Sequence, residues 1–176
     1  TVRQTGIWKN AFRGAKTIVI EDCTVKNYKY SFLYVYSSAI NVSVKNVTVE
    51  DCPDYAVYFS SGVTNATFEN LTAKGSEDGF VINNTANRAF TIKNCKLTGA
   101  IKAVKDTGGT NSITCTVLGN ENDFGTANSS DYANYVLADE TATLAAPAGA
   151  TVTCKNDEYL VVYENGIYKA AKPIAK

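Results

Sequence analysis

The stretch that decides the fold is Asn41-Val42-Ser43-Val44-Lys45-Asn46-Val47-Thr48-Val49, because the chain repeats its pattern. The pattern returns at positions 65–73 as Asn65-Ala66-Thr67-Phe68-Glu69-Asn70-Leu71-Thr72-Ala73. Related copies begin at Thr17 and Ala89, so the four copies start at positions 17, 41, 65 and 89 and are evenly spaced. A fixed period of this length indicates stacked repeats, in which each repeat packs on the next one.

Within each copy, apolar residues alternate with polar residues, which is typical of a β-strand with one buried face. Two polar residues, such as Lys45-Asn46, separate the apolar pairs and indicate a corner. A further apolar pair follows in each repeat, for example Leu33 and Val35. The 3.6-residue rhythm of α-helical solenoids is absent. We therefore predict an all-β fold, a single-stranded right-handed parallel β-helix of about five rungs of 22–24 residues with a C-terminal β-hairpin cap.

Polar residues at equivalent positions support this stacking, since residue i should lie beside residue i+24. The corner column predicts a ladder of side-chain amides; it reads Asp22, Asn46, Asn70, Asn94. Two charged columns alternate in sign from rung to rung and in opposite phase; they read Glu21, Lys45, Glu69, Lys93 and Lys26, Glu50, Lys74. Opposite charges on adjacent strands stabilise by about a few tenths of a kcal/mol each and disfavour a shifted register.

On this coil pattern, residues 17 to about 118 resemble the right-handed β-helix, or pectin-lyase-like, superfamily of secreted and surface proteins. The resemblance implies the fold and an extracellular or cell-surface location, in a bacterium. It also implies a link to polysaccharides: lyases of this superfamily use a basic residue as proton acceptor, with acidic residues or calcium neutralising the uronate. The hydrolase relatives use clustered Asp with a His, a motif that this sequence lacks.

The repeat also sets the expected domain organisation. Residues 1–16 are an N-terminal cap or partial rung, 17–126 the β-helix, and 127–176 a C-terminal β-hairpin cap or small β module with a hairpin signal at Asn165-Gly166. Because the chain starts at Thr1, we expect a fragment or processed form. We expect a monomer or part of a longer chain.

The amino-acid composition argues against several classes of partner and catalytic site. Seventeen basic residues balance seventeen acidic ones, so no net field favours nucleic acid. The apolar runs are too short for membrane insertion. The absence of histidine removes Ser-His-Asp and Cys-His schemes. The odd number of cysteines and the lack of a Cys-x-x-Cys pair indicate buried free thiols rather than a zinc site; they are Cys23, Cys52, Cys95, Cys115 and Cys154.

Acidic residues gather near one corner of two successive rungs, and they are the weak candidates for catalysis. These are Asp54, Glu77 and Asp78, with Asp51 nearby. The alternative is that they are solvated turn residues, as Asp often is. We expect no cofactor, although calcium is the cation that such a cluster could hold; the spacing matches no known coordination loop.

Tyrosines give the second candidate site. If Leu33, Val35, Val57 and Phe59 point inward, then Tyr34, Tyr36 and Tyr58 point outward, and Tyr34 stacks on Tyr58 of the next rung. Exposed aromatic rings on a rigid sheet can stack on sugar rings. Two alternatives stay open: the rings pack against each other or a neighbouring domain, or Phe32 and Tyr34 are the inward pair.

These observations favour a non-catalytic β-helical module of a bacterial secreted or cell-surface protein. It would be glycan-binding or adhesin-like, with a polysaccharide or host-cell glycan bound at Tyr34, Tyr36 and Tyr58. One alternative is a divergent or truncated polysaccharide lyase or glycoside hydrolase. Another is a structural spacer in a longer surface protein.

Overall fold

The computed structural model describes residues 15–27, 29–35, 41–59, 63, 65–82, 88–107, 112–129 and 133–174. These residues form an all-β structure of stacked parallel coils, a β-solenoid of about four turns. One sheet has twelve strands and the other has four. Among the described residues, no helix is long and apolar enough to cross a membrane.

The strands run in this order: β1 Thr17–Lys26, β2 Leu33–Val35, β3 Asn41–Glu50, β4 Tyr55–Phe59, β5 Asn65–Lys74, β6 Asp78–Ile82, β7 Arg88–Lys93, β8 Lys96–Thr98, β9 Lys102–Asp106, β10 Ile113–Leu118, β11 Asn122–Asp123, β12 Ala133–Leu137, β13 Thr143–Ala145, β14 Thr151–Cys154, β15 Leu160–Glu164 and β16 Ile167–Ala171.

The register predicted from the repeat is confirmed. Strands β1, β3 and β5 pair in parallel, with Glu21 opposite Lys45 and Lys45 opposite Glu69. Three members of the predicted corner ladder are joined by hydrogen bonds: Asn70 donates to Asn46 at 2.8 Å, and Asn46 donates to Asp22 at the same distance. The side-chain oxygen of Asn94, the fourth member, accepts from the Glu121 amide. Equivalent positions of successive repeats are therefore vertical neighbours in the structure.

The backbone conformation at the corner also explains why asparagine and aspartate occur there. Asp22, Asn46, Asn70 and Asn94 all have φ between 52° and 54°. This left-handed conformation is costly for most L-residues and is best tolerated by Gly, Asn and Asp. Asparagine thus serves twice at the corner, since it accepts the backbone turn and bonds to the next rung.

Ion pairs line both sides of this corner, as the alternating charges predict. Glu50 is bridged by Lys26 at 2.6 Å and by Lys74 at 3.7 Å. Glu69 is bridged by Lys93 at 3.1 Å and by Lys45 at 3.8 Å. Hydrogen bonds from the lysines lower the pKa of both carboxyl groups. Because these pairs are exposed to water, they contribute mainly to the register.

The core is a column of aliphatic side chains with an aromatic centre. Phe68 is fully buried, and its ring centroid lies 4.9 Å from that of Phe80, 6.2 Å from Phe90 and 6.3 Å from Phe59. Tilted and edge-on rings at these distances pack favourably beyond the area that they bury. The inside of the coil is therefore filled by side chains.

Parallel stacking continues farther along the chain than the sequence predicts. Strands β10, β12 and β14 pair in parallel one after another, although β12 and β14 lie in the segment expected to form a hairpin cap or small β module. Ile113 lies opposite Ala133, and Asn134 lies opposite Thr151, so the repeat shortens here and its earlier period does not detect these rungs. Strands β15 and β16 form an antiparallel hairpin that turns at Asn165-Gly166, where the hairpin signal predicted it.

The cysteines are free thiols, as expected. Cys52, Cys95 and Cys115 are buried, whereas Cys23 and Cys154 are only half-buried. Burial raises the pKa of Cys95 to about 11 and raises that of Cys115 strongly. Buried thiols of this kind act as small apolar groups.

Candidate functional site

The four-stranded sheet carries the candidate site on its outer surface. Its order is β2-β4-β6-β9, with Leu33 opposite Val57 and Val57 opposite Phe80. Leu33 and Val35 are buried in the core, which confirms the preferred orientation of this strand. Phe32 is buried as well, so the chain turns two consecutive residues inward at this corner.

The same inward pair recurs in β4 and β9, as Ala56-Val57 and Ala103-Val104. In β6 the first member is Gly79, where a Cβ would lie 2.6 Å from the Ala103 carbonyl oxygen. Because two neighbours point inward, the residues on either side of them both point outward. Two outward columns result, three residues apart: Tyr55, Asp78, Lys102 and Tyr34, Tyr58, Val81, Lys105.

The predicted tyrosine stack is present. The rings of Tyr34 and Tyr58 are nearly parallel, with an interplanar angle of 9° and centroids 4.2 Å apart. Tyr55 adds a third ring, 5.8 Å from Tyr58 and tilted by 35°. Tyr36 lies outside the described residues.

The exposure of the stack differs from the expectation. Tyr58 is only 7% exposed, while Tyr34 and Tyr55 are half-buried. Rings that stack in register cover one another's faces, so an aromatic column hides most of its own surface. Tyr58 therefore acts as the support of this cluster, and Tyr34 and Tyr55 form its accessible part.

A lysine and an aspartate complete the cluster. The Lys105 ammonium donates to the Asp78 carboxylate at 2.6 Å, with side-chain exposures of 38% and 4%. This hydrogen bond raises the pKa of Lys105. Burial, followed by the charge of Asp54, raises the pKa of Tyr55, and Lys105 and Asp78 also act on that hydroxyl. The ion pair and the tyrosines thus share one electrostatic environment, which we call the tyrosine cluster: Tyr34, Tyr55, Tyr58, Asp78 and Lys105.

The acidic candidates come to one edge of the sheet but have different surroundings. Asp54 and Glu77 lie on adjacent rungs, since the Glu77 amide donates to the Pro53 carbonyl and the Asp78 amide to the Asp54 carbonyl. Glu77 is exposed, whereas Asp78 is buried in its ion pair. In the part of the chain that the structure describes, no group of three or more Cys, Asp or Glu residues is placed to hold a metal ion.

Lys105 is the residue that the sequence reasoning missed. The outward position of Lys105 could have been predicted, because it continues the outward column that runs from Tyr34 and Tyr58 through Val81. The apolar pattern of β9 is weak, so the sequence did not show that the column continues to this strand. In addition, a single lysine on a strand belongs to no catalytic or binding motif.

An open cavity of about 460 Å³ lies where residues 125–128 meet the end of β13 and the C-terminal hairpin. Its walls include Thr126, Asn128, Pro147 and Tyr163. Asn128 bridges in parallel to Lys102 and so extends the outward column of Tyr55 and Asp78 by one rung.

Compared with protein-family models, with curated proteins and with solved structures, the chain has no significant match. The functional conclusion therefore depends on the chemistry of the tyrosine cluster and its surroundings.

Proposed function

We propose that this chain is a non-catalytic, carbohydrate-binding β-helical module of a secreted or cell-surface bacterial protein, related to the pectin-lyase-like superfamily. The observation that carries the proposal is the tyrosine cluster, in which three aromatic rings adjoin the ion pair between the buried Asp78 and the partly exposed Lys105. A pyranose has an apolar C–H face and a rim of hydroxyls. Aromatic rings can pack against the apolar face, and charged side chains can form hydrogen bonds with the hydroxyls.

The arrangement is also held in place before any ligand arrives. The stacked rings of Tyr34 and Tyr58 restrict each other, and the 2.6 Å ion pair fixes both Asp78 and Lys105. A site whose side chains are already ordered loses less entropy when it binds. Lys105 has three N–H donors, one of which serves Asp78, and its half-exposed ammonium can therefore reach a sugar hydroxyl.

The charges around the cluster favour a neutral sugar over a uronate. The Lys105 charge is balanced by Asp78, and the carboxylates of Asp54 and Glu77 lie on the adjoining edge. Lys102 lies beside Asp78, but the three carboxylates still outnumber the two ammonium groups, so an anionic sugar would meet net repulsion here. Hydroxyl groups, in contrast, can bond to both signs of charge.

The alternative of a polysaccharide lyase needs a basic group that can accept a proton. Lys105 is the basic residue in the cluster, and its hydrogen bond to Asp78 raises its pKa and holds it protonated near neutral pH. An efficient general base has a pKa near the working pH, so this lysine is tuned for binding rather than for proton abstraction.

A glycan array followed by calorimetric titration of the hits tests the proposal. We expect binding to neutral glycans, and a loss of about tenfold or more in affinity for Tyr55→Ala and for Tyr34→Ala, since each variant removes a ring contact. Tyr159→Ala is the matched control, because Tyr159 is a half-buried tyrosine of the C-terminal region. Circular dichroism and the unfolding midpoint check that each variant folds.

Two results would reject the proposal. One is the absence of binding to any glycan, which would favour the structural spacer. The other is binding that both cluster variants leave unchanged. Release of an unsaturated uronate from pectate or alginate, measured with and without calcium, would instead establish the lyase.

A further inference from the structure

We propose that the cavity beside the C-terminal hairpin is a second sugar subsite, and that the ligand is a linear neutral glycan lying along the solenoid axis. This inference rests on the proposed carbohydrate-binding function. It adds the chain length and the direction of the ligand, which the tyrosine cluster alone does not specify.

The cavity has an aromatic wall that is held rigidly. Tyr163 is 40% exposed, and its hydroxyl donates to the Ala146 carbonyl at 3.1 Å. Its ring lies 4.5 Å from that of Tyr168, whose hydroxyl in turn donates to the Pro147 carbonyl and accepts from the Ala150 amide. The ring of Tyr163 is thus fixed at one end and supported on one side, while part of its surface faces water.

Polar groups line the cavity together with this ring. Thr126 and Asn128 are both exposed and line the same cavity. Their hydroxyl and amide groups can donate and accept, which suits sugar hydroxyls. None of the described residues that line the cavity carries a formal charge. The chemistry therefore matches a neutral sugar, as it does at the tyrosine cluster.

Backbone hydrogen bonds connect the rung of the tyrosine cluster with the rung of Asn128, which lines the cavity. Successive hydrogen bonds join adjacent rungs: Asp78 to Asp54 at 3.0 Å, Ile101 to Glu77 at 2.6 Å and Asn128 to Ile101 at 2.9 Å. The rung of Tyr55 is therefore three strand spacings from that of Asn128, or about 14 Å. A disaccharide is shorter than this distance, so only a longer linear glycan can span both places.

The intervening rungs offer contacts along the way. Lys102 lies between Asp78 and Asn128 in the same outward column. A glycan that runs down this column would meet the tyrosine cluster first, then Lys102, and then the cavity with Tyr163. The four-stranded sheet ends at β9, and Asn128, which lines the cavity, bridges to Lys102 of that last strand.

The test uses the whole chain and neutral oligosaccharides of defined length. The probes are cello-, manno- and xylo-oligosaccharides from disaccharide to hexasaccharide, measured by calorimetric titration. We expect affinity to rise by about tenfold or more with chain length, because the second subsite adds its contacts without a second association cost. Tyr163→Ala and Asn128→Ala should each reduce this rise and bring the affinity for the hexasaccharide closer to that for the disaccharide.

The matched control is Tyr159→Ala, which removes a neighbouring tyrosine that does not line the cavity. If disaccharides and hexasaccharides bind equally well, or if Tyr163→Ala and Asn128→Ala leave hexasaccharide affinity unchanged, the second subsite is refuted while the tyrosine cluster stands. If no chain of any length binds, the proposed function falls as well.

Discussion

Asparagine side chains are hydrogen-bonded between rungs in two columns, the corner column with Asn46 and Asn70 and a second column with Asn41 and Asn65. Alanine and glycine variants in each column test the backbone argument, because the more stable of the two variants should differ between the columns. Asn70 donates to Asn46 at 2.8 Å, and Asn65 donates to Asn41 at 2.9 Å. Both side chains are exposed, so neither substitution leaves a cavity. The positions differ in their backbone: Asn70 has a φ of 52°, whereas Asn65 is not among the residues with positive φ.

The expected magnitudes follow from these two facts. Losing one ladder hydrogen bond costs about 0.5–1.5 kcal/mol at either position. Alanine at position 70 adds about 1–2 kcal/mol for the left-handed backbone, which glycine avoids. Glycine at position 65 adds about 0.5–1 kcal/mol of backbone entropy in a strand, which alanine avoids. Asn70→Gly should therefore be more stable than Asn70→Ala, and Asn65→Ala more stable than Asn65→Gly.

Equilibrium unfolding in urea measures all four variants, since the free energy of unfolding falls linearly with denaturant concentration. The slope should stay constant across the set, because none of the variants changes the buried area. If alanine and glycine rank in the same order at both positions, the corner does not depend on a left-handed asparagine and the reasoning is wrong.

Further expectations concern the core, the ion pairs and the thiols. Phe68→Ala should lower the free energy of unfolding by about 3–5 kcal/mol, because it empties the aromatic centre of the core, and a smaller loss in urea unfolding would contradict that packing. Hydrogen bonding from Lys93 lowers the pKa of Glu69, so its contribution to stability is present above the unfolded pKa of 4.5 and is lost as the pH falls through the folded value. Urea midpoints measured from neutral to acidic pH should therefore fall less steeply in Glu69→Gln than in the wild type. A thiol reagent should modify Cys23 in the native state and Cys95 only on unfolding, which mass spectrometry of the labelled peptides would show.

Much of the fold could be predicted because residues that are one repeat apart in the sequence become neighbours on adjacent rungs. The pairing of Glu21 with Lys45 and of Asn46 with Asn70 follows from the constant offset between repeats. The stacking of Tyr34 on Tyr58 follows from the same offset. What the offset could not predict is the shorter spacing of the last rungs, such as Asn134 with Thr151.

The candidate site was less predictable than the fold. The sequence predicted that Tyr34 and Tyr58 would face outward and left open whether their rings would pack against each other; the structure shows that they do, and that Tyr58 is only 7% exposed. The sequence did not bring Lys105 to Asp78, because this contact joins two outward columns across a corner. The corner has two inward residues in succession, and strict alternation cannot describe it.

For β1, β3 and β5 the sequence by itself determined which residues lie one above another, because strand alternation and a constant offset between these repeats together leave one consistent stacking. The tertiary structure alone decided which side chains remain accessible and which columns meet. The accessibility of a ring or a carboxylate depends on how closely neighbouring rungs pack, and this packing involves contacts that are not local in sequence, such as the close approach of Gly79 to the Ala103 carbonyl oxygen.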